Sequence, residues 1–151
     1  NARIMAEHNI IGQKGEQIAV ETMRKKGFRV VDTNWKFGHL EMDVIAVNRK
    51  EIAFVEVKTR TSSFGDKRPE EFVDELKRRR MAAAANAYIK IHQIELVPRF
   101  DIIGISMDPN TYEVKELTHL EDAFLPPQRT IGKRSFSGQG RWKHRGRVIG
   151  K

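Results

Sequence analysis

The chain has no cysteine, which excludes disulfide staples, thiolate zinc centres and cysteine nucleophiles together. No apolar run approaches the roughly 20 residues that a membrane-spanning helix requires, so no membrane partner is expected. Acidic residues are missing altogether from residues 126–151. The opening segment lacks a continuous apolar stretch and a small-residue cleavage site, so no signal peptide is expected and a cytoplasmic location is. Residue 1 is Asn, which makes Met5 a candidate natural start. No internal repeat is visible.

What is present suits one globular domain. The chain has 151 residues, 39% of them hydrophobic. A domain of that length buries roughly two-thirds of its unfolded surface. The net charge is +8, but its location matters more than its size. Residues 1–125 hold 20 Lys/Arg and 20 Asp/Glu, so they balance. The last 26 residues hold the other eight bases: Arg129, Lys133, Arg134, Arg141, Lys143, Arg145, Arg147 and Lys151. The break falls at Pro126-Pro127. Beyond it too little apolar surface is available to offset chain entropy, which predicts a disordered or weakly ordered tail. The division is a domain over 5–125 and a basic tail over 126–151.

Periodicity orders the first part. Ile11, Ile18, Ala19 and Met23 recur near helical spacing and Gly27 follows as a stop, predicting a helix over about 10–26. Phe28–Val31 reads as a short strand and Trp35–Gly38 as a turn. Asp43–Val47 and Ile52–Lys58 are apolar and β-branched, joined at hairpin length. A polar loop, Thr61–Pro69, leads to a second helix over about 70–91, whose alanine-rich middle favours helix. Phe100–Ile105 and Tyr112–Leu117 are further strands, with a turn at Asp108-Pro109-Asn110. Helix, three strands, helix, two strands is the order of an α/β or α+β domain around one sheet.

The chemistry concentrates in Val55-Glu56-Val57-Lys58. Side chains alternate faces along a strand, so Glu56 and Lys58 point the same way. An inert same-face ion pair is the simplest account of them. Asp43, on the neighbouring strand, can approach Glu56 across the ladder. Two carboxylates in one place repel and raise a pKa unless a cation lies between them. Lys58 offers one positive charge; a divalent ion offers two. Without cysteine or paired histidines, such an ion would have oxygen ligands, which suits Mg²⁺. Glu41, two residues before Asp43, is an alternative ligand. Glu16 is a third acid, following Gly12 and Gly15, which would let a backbone or substrate approach the helix closely. His8, His39, His92, His119 and His144 show no metal-ligand spacing.

Gly12-x-x-Gly15-Glu16-x-x-Ala19, Asn34-Trp35, Glu41-Met42-Asp43, Phe54-Val55-Glu56-Val57-Lys58-Thr59-Arg60 and Arg99-Phe100-Asp101 together resemble the YraN family of endonuclease-like bacterial proteins. The resemblance spans about residues 7–107. It implies membership of the PD-(D/E)XK group, with restriction enzymes and Holliday-junction resolvases. It therefore implies a restriction-endonuclease-like α/β fold, an α-β-β-β-α-β core around a central mixed sheet. By the same resemblance Asp43, Glu56 and Lys58 would be the catalytic aspartate and E-x-K, and Glu16 the acid of the first helix. Asp43, Glu56, the Val57 carbonyl and Glu16 would hold Mg²⁺ or Mn²⁺. The activity implied is hydrolysis of DNA phosphodiesters, in branched or repair intermediates. A resolvase-like protein could work as a homodimer.

Two basic features suggest a nucleic-acid partner. Lys77-Arg78-Arg79-Arg80 lies on the second helix, where successive residues turn by about 100°, so the four cannot share one face. Lys77, Arg78 and Arg79, with loop residues Arg60, Lys67 and Arg68, are candidate phosphate contacts. In the tail, Arg141, Trp142, Lys143 and Arg145 combine charge with a stacking surface. A catalytically inactive nucleic-acid-binding module of the same fold is the alternative function. A protein-docking scaffold is the third.

Overall fold

The computed structural model describes residues 2–65, 67 and 69–125, and the backbone of 136–137 and 141–142. Helix α1 (Ala2–Lys25) is followed by β1 (Arg29–Phe37), β2 (Leu40–Val47) and β3 (Glu51–Arg60). A 3-10 turn (Pro69–Phe72) precedes helix α2 (Glu75–His92), then come β4 (Val97–Met107) and β5 (Val114–Leu120). The protein is thus α/β, its described residues forming two α-helices and a five-stranded mixed sheet ordered β1-β2-β3-β4-β5. Only β3 and β4 run parallel, and α2 is the crossover that parallel pairing demands.

Each face of the sheet carries one helix. Ala19 and Met23 of α1 pack with Val44, Ala46, Ala53, Val55, Ile103 and Ile105. On the opposite face Met81, Ala85, Tyr88 and Ile89 of α2 pack with Ile45, Ile52, Phe54, Phe100 and Ile102. β3 is therefore covered on both sides, which is why it reads as a continuous apolar run and not an alternation. Each fully buried Ile or Phe contributes roughly 1.5–3 kcal/mol. Tyr88 lies at the core edge, where its hydroxyl donates to Asp32 Oδ2 at 3.0 Å. Burial, then that bond, pushes its titration upward.

Several boundaries differ from those the sequence predicts. α1 starts at Ala2, because its first two turns are exposed and carry no apolar stripe to reveal them. Trp35 lies inside β1, not in a turn; the turn is Gly38-His39. Being an edge strand, β1 tolerates its polar run Asp32-Thr33-Asn34, a bulge and a left-handed Asn34 (φ 49°). α2 begins at Glu75, where the Asp74 carboxylate caps the helix by accepting from the Lys77 N–H at 2.8 Å. β5 begins at Val114, since Tyr112 takes a left-handed turn conformation (φ 59°).

Among the described residues no helix is long and apolar enough to cross a membrane. In the tail, β6 (Phe136–Ser137) and β7 (Arg141–Trp142) form a short antiparallel pair. The expectation of disorder there otherwise lies outside the described residues, as do Arg68, Lys143 and Arg145.

Candidate functional site

The β2–β3 ladder runs from Val47–Ile52 to Val44–Val55 and stops. Beyond it β2 continues beside β1, and β3 continues beside β4 as far as Arg60. The sheet therefore forks, and Asp43 is the first residue past the last β2–β3 pair. Its Oδ2 accepts the Val57 N–H at 2.8 Å, so a side chain closes what a strand would otherwise close. The N–H and C=O of a strand residue point to the same side, so the Val57 carbonyl faces the gap too.

Glu56 is buried at the fork, 9% exposed, on the α2 side. Its carboxyl lies against that of Asp43, where the two can hydrogen-bond once one of them is protonated. Burial, then this bond and the Glu56 charge, push Asp43 up to about 8, against the opposing Val57 N–H and Lys77 charge. The Asp43 carboxyl is thus held far above the ordinary carboxylate range. Lys77 Nζ meets Glu56 Oε2 at 2.8 Å. Burial works against the Lys77 charge, but the Glu56 bond and the carboxylates around it win and raise its pKa. The cation on Glu56 is therefore Lys77, not the expected Lys58, which is exposed. Nothing in the spacing of 56 and 77 announces this contact.

Two clefts meet at Asp43. One, of about 470 Å³, opens on the α1 side, lined by Glu16, Asp43, Val57, Lys58 and Arg60 among others. The other, of about 430 Å³, opens on the α2 side, with Glu56, Lys77 and Arg80 beside the same Asp43, Val57 and Lys58. Glu16 thus reaches the same cleft as Asp43, held by the Asn34 amide, which donates to its Oε2 at 2.7 Å. α1 comes this close because residue 15 is glycine: an added Cβ would overlap the Thr59 hydroxyl. Gly12 only borders open cleft. Glu41 is exposed, pairs with Lys36 at 3.8 Å and lines neither cleft.

The remaining basic candidates divide by helix geometry. Arg78 lies over the Phe124 ring, 5.5 Å from its centroid, and Arg79 pairs with Glu75 at 2.9 Å. Arg60 lies over Phe64, while Lys67 is exposed. Phe64 in turn stacks on Phe72, and both rings cover Gly104, where a Cβ would collide with Phe72. That anchors the loop beside the site.

A second cluster went unread in the sequence. Asp101, fully buried, accepts from Arg99 at 2.9 Å and from the Asp122 N–H at 3.0 Å, and its Oδ2 meets His119 Nε2 at 2.7 Å. Lys26 Nζ lies 2.7 Å from the other His119 nitrogen. Asp101, His119 and Glu121 bring ligand atoms within 4.8 Å of one another, a group that could hold a metal ion. Its faint signal is the i, i+2 spacing of His119 and Glu121. Arg99 already reaches both Asp101 and Glu121, so its guanidinium supplies positive charge there.

The Asp43 shift has a direct consequence for stability. The unfolded carboxyl titrates near 3.8 and the folded one near 8. Between those values the native state holds the extra proton, so stability falls as pH rises through the window and levels off above it. Asp43→Asn should lack that fall. In chelator, urea denaturation should find it more stable than wild type at pH 8.5 by roughly 1–3 kcal/mol, with little difference at pH 4. Parallel pH profiles for the two proteins would show that Asp43 is not the source.

The fold and this site define the class: an α/β domain whose mixed sheet forks around a buried carboxylate pair, flanked by lysines. The chain belongs to the family described as "Uncharacterised protein family UPF0102", the YraN family, whose model matches residues 15–105. Glu16, Asp43, Glu56, Lys58 and Lys77 all lie within that match; His119 and Glu121 lie outside it. It is 40% identical over 123 residues to a UPF0102 protein of Bacteroides thetaiotaomicron, covering 82% of this chain and 98% of the relative. A UPF0102 protein of Parabacteroides distasonis is 42% identical over 125 residues, covering 83% of this chain and 100% of the relative. One of Porphyromonas gingivalis W83 is 39% identical over 120 residues, covering 80% and 87%.

Proposed function

We propose that this chain is a metal-dependent endonuclease of the PD-(D/E)XK type, cutting DNA phosphodiesters. One observation carries the reading. Asp43 and Glu56 are forced together at a fork in the sheet, with Lys58 at the mouth of two open clefts. Two carboxyls buried against each other are the arrangement that a hard divalent cation relieves. The donor set fits Mg²⁺ or Mn²⁺: Asp43, Glu56 and the Val57 carbonyl, with Glu16 facing Asp43 in the same cleft. The order of elements supports the same superfamily.

A bound divalent ion would lower the pKa of a water and neutralise phosphate charge. The residues do the rest. The Val57 N–H fixes the Asp43 carboxylate. Asn34 holds Glu16 toward the cleft. Lys58, with a long stem and three donors, orients the attacking water and stabilises charge on the phosphorus oxygens. Water adds to phosphorus, the bond to the leaving sugar oxygen breaks, and a phosphomonoester and an alcohol result. Arg60, Lys67 and Arg80 hold the flanking phosphates. The test is incubation with Mn²⁺ and linear, nicked, flapped and four-way DNA. Cleavage of none of them sinks the reading.

The second reading is a DNA-binding module without catalysis. It is favoured by Lys77, which already neutralises Glu56. Binding to DNA that is equal with and without Mn²⁺, and no cutting, selects it. In both readings the basic tail is an accessory grip. Removing residues 126–151 should weaken DNA binding and flatten its salt dependence. The log–log slope should shrink by about 0.9 for each phosphate that the tail neutralises. An unchanged slope would make the tail a bystander.

A further inference from the structure

The proposed ion and Lys77 need the same atom. Glu56 Oε2 is already held by Lys77 Nζ at 2.8 Å, and an ion bound to the Asp43–Glu56 pair would draw on that carboxylate. A divalent cation and an ammonium on one oxygen repel each other, so one must yield. We propose that Lys77 is a positioning residue that competes with the divalent ion for Glu56 and passes from the carboxylate to the substrate phosphate as the ion binds. The inference rests on the nuclease reading above and deepens it, making the free site resist ions until DNA is at hand.

Three observations support the exchange. Lys77 is built into place by the helix start: the Asp74 cap receives its N–H, so the first turn of α2 aims this side chain at the fork. Its neighbours are otherwise engaged, Arg78 over Phe124 and Arg79 with Glu75, so the register singles out residue 77. The α2-side cleft then gives the ammonium somewhere to go. Lys77, Lys58 and Arg80 line it with Asp43, Glu56 and Asp74, about 430 Å³ in volume, and once an ion neutralises the Asp43–Glu56 pair the three cations outnumber Asp74 and suit an anion. The charged groups facing Lys77 are Glu56, Asp43 and Glu41, with Asp74 in the same cleft. A lysine can make this move without backbone change, since its four-carbon stem swings freely.

The test is a Mn²⁺ titration by calorimetry on wild type and Lys77→Met, which keeps the stem and removes the charge. With no DNA present, the variant should bind Mn²⁺ about three- to tenfold more tightly, the scale of one partly exposed ion pair. Reductive methylation of wild type, read by mass spectrometry, follows the amine itself. Lys77 should react several-fold faster with Mn²⁺ than without, and excess duplex DNA should slow it again. Equal or weaker Mn²⁺ binding by the variant, or a Lys77 labelling rate that ignores Mn²⁺, overturns the exchange while leaving the metal site standing. Mn²⁺ binding by neither protein overturns the metal reading and the exchange with it.

Discussion

Asp43→Asn and Glu56→Gln are each expected to lower Mn²⁺-dependent DNA cleavage by about three orders of magnitude, and Lys58→Met by about two to three. The three should fail for different reasons. Asp43 and Glu56 supply the oxygens at the fork, so their variants lose ion affinity as well as rate. Lys58 touches neither carboxylate in a pair; it stands exposed where the two clefts meet. Its variant should bind Mn²⁺ and DNA as wild type does and lose the rate alone. Calorimetry beside a cleavage assay separates these outcomes. Cleavage at wild-type rate in both Asp43→Asn and Lys58→Met would discard the site. Mn²⁺ binding that survives in Asp43→Asn would place the ion at Asp101, His119 and Glu121 instead, whose ligand atoms lie within 4.8 Å of one another.

The largest stability effect should come from that second cluster. Asp101 has no exposed surface, and the Arg99 guanidinium is its nearest full positive charge, at 2.9 Å. Arg99→Met leaves a buried carboxylate with the neutral Asp122 N–H, and with a His119 that Lys26 also approaches. Breaking a buried pair by removing one partner costs about 3–5 kcal/mol. Arg99 also lies over the Phe28 ring, 4.6 Å from its centroid, so packing adds to the loss. Removing both charges in Arg99→Met with Asp101→Leu should recover much of the stability, because no charge is then stranded. Denaturant midpoints of the two variants check this; a double variant as unstable as the single one refutes the stranded-charge account. These residues belong to the Arg99-Phe100-Asp101 run of the family resemblance. Their geometry explains the run as a structural clamp that ties β4 to the end of β5 and to the segment after α1.

Which face each β3 side chain takes was readable, because strand geometry is regular even where both faces are covered. Val55 is buried toward α1, and Glu56 toward α2, as a period of two requires. The hairpin placed Asp43 near Glu56 for the same local reason. The early start of α1 and the strand character of Trp35 were not readable. Residues 2–10 are exposed and leave no burial pattern to read, and in β1 the polar run Asp32-Thr33-Asn34 interrupts the apolar residues before Trp35. The partner of Glu56 was missed on similar grounds. Lys58, two residues away, was the local candidate, while Lys77 arrives only when α2 crosses the sheet. Asn34 stood in the motif without a role until the bulged edge strand brought its amide to Glu16.

By itself, the sequence determined the class of fold, the absence of thiol chemistry, the separation of a charge-balanced stretch from a basic one and the acids worth watching. These follow from composition and from local periodicity, which act within one element. Tertiary structure decided which charges meet. It splayed β2 from β3 at Asp43, brought Lys77 onto Glu56, and buried Asp101 under Arg99 and His119. These contacts join residues 2 to 21 positions apart, and their energies depend on burial and distance, which no local pattern encodes.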